Sequence, residues 1–264
     1  MNIRQKHLAT LVLAIAAALL AGCKKDNNAS NNKQNTDQVL TDAISFSKNH
    51  DEFVYRYLKK SEAFQSNKHD SIGMESTIAL LQEMTGLPIT VIDDVSQLDG
   101  EYMVLDLDAY MEQECIKLEN YSTTSLVRNH FKSVDRVLEN DSLSLQETIL
   151  ALDVIEGLVM NDGEANDEEK ETLLRGIEVL KGSLLLWENV GMHGEKAHPS
   201  QWPIWKKLLF VAGCDAIGAV VGYFVGGIVT YMGASYYVPP TGSGAVAMAG
   251  VFSIMAAKYV KLIN

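Results

Sequence analysis

The sequence predicts a mainly α protein: a helical bundle with at most a small β-hairpin, followed by a Gly/Ala-rich apolar antiparallel helical hairpin. Three observations carry this prediction. Apolar residues recur at three- and four-residue steps through most of residues 36–190. Only two short runs, 89–92 and 102–105, suit strands. Small residues then return every fourth position through 214–234 and again through 245–257, on a segment almost without charge.

The chain opens with Arg4 and Lys6, an apolar run over 8–20, and then Leu20-Ala21-Gly22-Cys23. This is the order of a secretory signal: basic start, apolar centre, small residues at the cleavage site. An uncleaved anchor would need roughly 18 or more apolar residues, and this run is shorter. The Leu-Ala-Gly-Cys ending resembles the lipobox of bacterial lipoproteins. The resemblance implies cleavage before Cys23, a diacylglycerol on its sulfur, acylation of the new amino group, and membrane lipid as a partner. Lys24 stands where an Asp would, by analogy with enteric lipoproteins, imply retention in the inner membrane, so the resemblance points to an exported protein on the outer membrane. The face of that membrane stays open. The expected domains are a signal peptide (1–22), a lipidated flexible tether (23–36), an acidic helical domain (37–200) and a glycine-zipper hairpin (201–264).

Residues 24–36 hold no large apolar side chain, so nothing offsets the entropy of ordering them. Val39, Leu40, Ala43, Ile44, Phe53, Val54, Tyr57 and Leu58 then space a helix over 36–63, and a second is expected over 74–85, closed by Gly86 with Pro88 beyond. The two short strand-like runs flank Leu98-Asp99-Gly100 and would suit a small hairpin. Helices are expected again over 107–120 and 124–139. The clearest unit is a helical hairpin of 144–160 and 167–190 about the loop 161–166, followed by a connector over 191–203.

The C-terminal segment places Cys214, Gly218, Gly222, Gly226, Thr230 and Ala234 on one helix face, and Ala245, Ala249, Ser253 and Ala257 on another. Small faces let two helix backbones approach closely. Over about 60 residues the pattern resembles the membrane-active helices of glycine-rich, pore-forming bacteriocins. With the turn centred near 238–239, Asp215 is expected opposite 258–261, as a structural salt bridge to Lys258 or Lys261. Two functions follow. The hairpin inserts into or packs against a membrane or protein partner, with 208–232 long enough to span. Alternatively it is the buried core of a soluble helical binding or scaffold lipoprotein, since a helix apolar all round suits protein as well as lipid.

Charge is unevenly spread. Residues 201–264 carry four lysines and one acid, whereas 24–200 carry 16 Lys and Arg against 33 acids. Such a body lacks the cationic face that nucleic acid requires. Cys115 and Cys214 are either paired after export or two separate buried thiols. No catalytic motif, cofactor fingerprint or metal-ligand spacing is present in the sequence. The acidic run 162–169 fails calcium-loop spacing, because Asp167 and Leu173 stand where Gly and Glu are needed; Asn166 as an N-cap explains it better. His193 and His198, with Glu195 between them, fall on the connector and lack a further ligand. His50, His69 and His130 each sit singly among polar residues and read as surface positions.

Overall fold

The computed structural model describes residues 29–66, 74–86, 88–92, 103–107, 109, 117–122, 124–140, 142–193, 204–224, 227–231, 234–238, 245–260 and 262. Its elements run α1 (Ala29–Ser66), α2 (Met74–Thr85), β1 (Thr90–Ile92), β2 (Met103–Asp106), a 3-10 turn (Leu118–Tyr121), α3 (Ser125–Leu138), α4 (Leu145–Met160), α5 (Asp167–His193), α6 (Ile204–Phe224), β3 (Gly227–Tyr231), β4 (Ala234–Val238) and α7 (Ala245–Tyr259). The protein is mainly α, with one small sheet.

Several helix ends are written in side chains. Thr124 Oγ1 accepts from the Val127 N–H at 3.2 Å to start α3. Ser144 and Glu147 form a reciprocal capping box before α4. Asn166 and Glu169 exchange the same pair of bonds before α5, at 2.9 and 3.1 Å, so two otherwise orphaned N–H groups are satisfied at each site. Gly86, at φ 67°, closes α2 with its N–H on the Gln82 carbonyl. Of the helix expected over 107–120, most lies outside the described residues. Its end is the 3-10 turn, whose Leu118 and Glu119 N–H groups both donate to the buried Asp135 carboxylate, at 2.8 and 3.1 Å. Burial pushes that carboxyl up to about 6, although both N–H bonds pull the other way.

Two expectations about local structure need correction. The flexible tether was expected to reach residue 36, but α1 already begins at Ala29. Its 29–36 stretch of Ala, Ser, Asn, Lys, Gln and Thr contains neither Gly nor Pro and continues the helix without steric conflict. The second correction concerns 208–232, expected as one long apolar helix. Helix α6 stops at Phe224, and residues 227–238 form a β-hairpin with Tyr231 opposite Ala234. Ile228, Val229, Thr230, Tyr236, Tyr237 and Val238 are β-branched or aromatic and fit a pleated surface. Among the described residues no helix is long and apolar enough to cross a membrane.

That hairpin also changes the reading of the two early strands. Instead of pairing with each other, β1 and β2 form the two outer strands of a four-stranded sheet, ordered β1-β4-β3-β2. Thr90 pairs with Tyr237 in an antiparallel ladder, and Val104 pairs with Ile228 in a parallel one. A two-stranded hairpin would have been marginal alone; four strands on a helical layer are not.

Helices α6 and α7 lie antiparallel at the centre. Gly218 sits against Ala249, and the Phe210 ring stacks on Tyr259 with centroids 6.1 Å apart. Around them pack α1 and α5, and one continuous cluster of buried side chains runs from Ala43 through Trp187 to Val260. The segment expected as a separate hairpin therefore shares its core with the acidic body.

Candidate functional site

Where α1, α5, α6 and α7 converge, the core is polar. Helix α1 turns Ala43, Phe46, Ser47, His50, Val54 and Tyr57 inward at three- and four-residue intervals, so His50 occupies a core position and is fully buried. This corrects its reading as a surface residue. His130 is likewise not on open surface: its Nε2 lies 2.9 Å from Asp162 Oδ2 and its side chain is mostly covered.

Glycines set how closely these helices approach. A Cβ on Gly182 of α5 would fall 2.4 Å from Ser47 Oγ, and one on Gly250 of α7 would fall 2.1 Å from the Phe53 ring. On Gly218 it would meet the Ala249 backbone at 2.7 Å. At Gly218 the clash is with backbone, so that close approach of α6 and α7 requires glycine, whereas at Gly182 and Gly250 neighbouring side chains would have to shift.

Within this junction His50 Nδ1 lies 3.0 Å from Asp51 Oδ1, and His50 Nε2 lies 3.7 Å from Asp215 Oδ2. Ser183 Oγ donates to Asp215 Oδ2. Trp187 Nε1 donates to Ser253 Oγ at 3.0 Å, and Ser47 Oγ donates to the Glu178 carbonyl at 2.9 Å. Asp215 is completely enclosed. Burial pushes its carboxyl up to about 6, opposed by His50 when that ring is charged, by the Ser183 hydrogen bond and by the nearby polar side chains of Ser253 and Trp187. The neighbouring Cys214 thiol is raised well above its usual range by burial and by the Asp215 charge. It is a free thiol; Cys115 lies outside the described residues.

Of the expected salt bridge from Asp215 to Lys258 or Lys261, only the Lys258 half falls on described residues. Antiparallel pairing of 218 with 249 and of 210 with 259 sets Asp215 near Ser253 rather than near Lys258. No ion pair joins Asp215 to Lys258 among the described residues, and burial lowers Lys258 to about 8. Lys261, Gly226 and Cys23 lie outside the described residues, and Gly222 falls near the C-terminal end of α6.

A second polar group lies on the face between α4 and α5. Lys181 Nζ reaches Asp153 at 2.8 Å, Glu156 at 2.6 Å, and Glu178. Burial and the Glu156 hydrogen bond push Glu178 up to about 7 against the pull of Lys181. The lysine fills the place a cation would take among these carboxylates. No cluster of three or more metal-ligating side chains with room for an ion occurs among the described residues.

Ser183, His50 and Asp215 are the residue types of a hydrolytic triad, yet the order is wrong. The hydroxyl donates to the carboxylate rather than to the imidazole, and neither His50 nor Asp215 meets solvent. A nucleophile needs its base on the hydroxyl and a substrate within reach. What the arrangement can do is hold or move a proton inside the core. The His50 cluster had a sequence signal, the apolar stripe on which His50 falls; the convergence with Ser183, Asp215 and Ser253 had none. Comparisons with protein-family models, curated proteins and solved structures found no match to the chain.

Proposed function

We propose that this is a lipid-anchored bacterial envelope protein in which the Gly/Ala-rich helices serve as the core of a helical binding or scaffold body. The lipobox ending in Cys23 supplies the anchor in this reading. The observation that carries the second part is the enclosure of α6 and α7 by α1 and α5, together with a sheet in which the late β3–β4 pair is flanked on both sides by an early strand. Delivering residues 201–264 into a bilayer would require opening that core and breaking both β1–β4 and β2–β3 pairing. The lipid alone then fixes the protein to its membrane, on the outer membrane if Lys24 sorts as it does in enteric lipoproteins. A protein or small-molecule partner would meet the acidic surface rather than the apolar hairpin.

The test is labelled palmitate incorporation combined with alkaline carbonate extraction of membranes. Wild-type protein should take up label and stay with the membrane. Cys23→Ser should take up none and appear in the soluble fraction. A Cys23→Ser protein that resists carbonate would shift the reading to a membrane-inserted hairpin, and label in that variant would remove the lipobox.

A further inference from the structure

The contact between His50 and Asp215 is unusual for a buried pair. At 3.7 Å the nitrogen and oxygen are too far apart for a hydrogen bond. Among the described residues, His50 Nε2 and Asp215 Oδ1 both lack a hydrogen-bond partner despite complete burial. Buried polar atoms are normally satisfied, and exceptions call for a physical account.

The other side of the imidazole supplies one. Asp51 when ionised can only accept, so a 3.0 Å contact with His50 Nδ1 assigns the ring proton to that nitrogen. When the ring carries no second proton, Nε2 is a bare lone pair aimed at a carboxylate oxygen. Two acceptors face each other across the junction of α1 and α6, which accounts for the gap. One added proton, on either atom, converts this contact into a donor–acceptor pair. Asp51 is about one-third exposed at its side chain and touches the imidazole, giving protons a route from solvent to the core.

We propose that the His50–Asp215 junction is a proton-operated clasp, which tightens α1 onto the α6–α7 pair when it takes up one proton in mildly acidic conditions and slackens when that proton leaves. The groups that bear on it are His50 and Asp51 from α1, Ser183 and Trp187 from α5, Ser253 from α7, and Cys214 beside Asp215 on α6. The Ser183, Trp187 and Ser253 side chains do not change charge over this range. The proton belongs to the coupled pair rather than to one residue. The inference does not depend on the lipid anchor.

The sign follows from linkage. Asp215 binds its proton more tightly folded, at about 6, than in the unfolded chain, where an ordinary carboxyl titrates near 3.8. Its contribution to stability is therefore full below the unfolded value and is lost as pH rises through about 6. Asp215→Asn is a neutral, donating analogue of the protonated carboxyl: its amide nitrogen at the Oδ2 position can donate to Nε2, and Ser183, whose hydroxyl bonds that same oxygen in wild type, must turn away from it.

The experiment compares chemical unfolding of full-length wild type and Asp215→Asn between pH 4 and 7.5. The folded-to-unfolded ratio of wild type relative to the variant should rise by up to about tenfold per pH unit as pH falls through the window. Amide protection factors along α1 in the variant at pH 7.5 should match those of wild type at pH 5. Parallel stability profiles would overturn the clasp. Should Asp215→Asn fail to fold, NMR of the Asp215 carboxyl and the His50 ring together in wild type decides: one proton taken up by the pair between pH 5 and 7 supports the clasp, and no uptake by either group in that window overturns it.

Discussion

Helices α4 and α5 meet through a short loop, with a capping box at the start of each and Lys181 tying one helix to the other. Helices α6 and α7 also pair antiparallel, yet they are joined through β3 and β4, and their contact is made by backbone on backbone at Gly218 and Ala249. In the first pair, the sequence marks its own boundaries and the helices bring their own stabilising interactions. The second pair has few polar groups to mark anything, and its surroundings, α1, α5, β1 and β2, decide where helix ends and strand begins. Two helical hairpins of similar appearance in sequence thus depend on local and on distant information respectively.

The largest test of this contrast is removal of residues 201–264. If α6 and α7 are the shared core, the remaining body should lose its cooperative unfolding transition, as read by circular dichroism against denaturant. A truncated body that still melts sharply would make the C-terminal pair a detachable unit after all.

A sharper test makes the same substitution in both pairs. At Gly218 a new Cβ meets the Ala249 backbone, which has nowhere to go, so Gly218→Ala should cost about 1–3 kcal/mol. At Gly157 on α4 nothing lies within 4 Å of the added carbon. There Gly157→Ala should stabilise by about 0.5–1 kcal/mol, through helix propensity alone. Equal signs in urea unfolding would erase the distinction. The smallest structural test is Ser144→Ala, which removes the capping box of α4 and should cost about 1 kcal/mol, with the loss of amide protection confined to the first turn of that helix.

The same contrast explains what could be read from the chain. The α4–α5 unit was legible because its caps and its apolar spacing agree. In the C-terminal segment the four-residue rhythm of small residues runs straight through 230 and 234, although both positions lie in strands. Thr230, Tyr231, Tyr236 and Tyr237 carried the opposite signal, a β-branched and aromatic run around Met232-Gly233. Centring the turn near 238–239 displaced the hairpin axis by several residues, enough to set Asp215 against 258–261 instead of Ser253. His50 was misread from its immediate neighbours, Asn49 and Asp51, when its spacing from Phe46, Val54 and Tyr57 placed it inside. The polar junction itself depends on four helices separated by up to two hundred residues, and no local pattern encodes such a meeting.

The order of the sheet, with a late hairpin between two early strands, has a consequence for how the molecule comes into being. Thr90 waits for Tyr237, and Met103 waits for Gly227, each more than a hundred residues further along. Contacts so distant in sequence are the slow ones, because closing a long loop precedes any gain from pairing. A growing or translocating chain can acquire α4 and α5 early, but β1 and β2 gain their partners in this sheet only when 227–238 appears. Assembly is therefore completed late, and a chain interrupted before residue 227 would carry two unmated strands and an unfilled helical core, the surface that proteases and aggregation act on first.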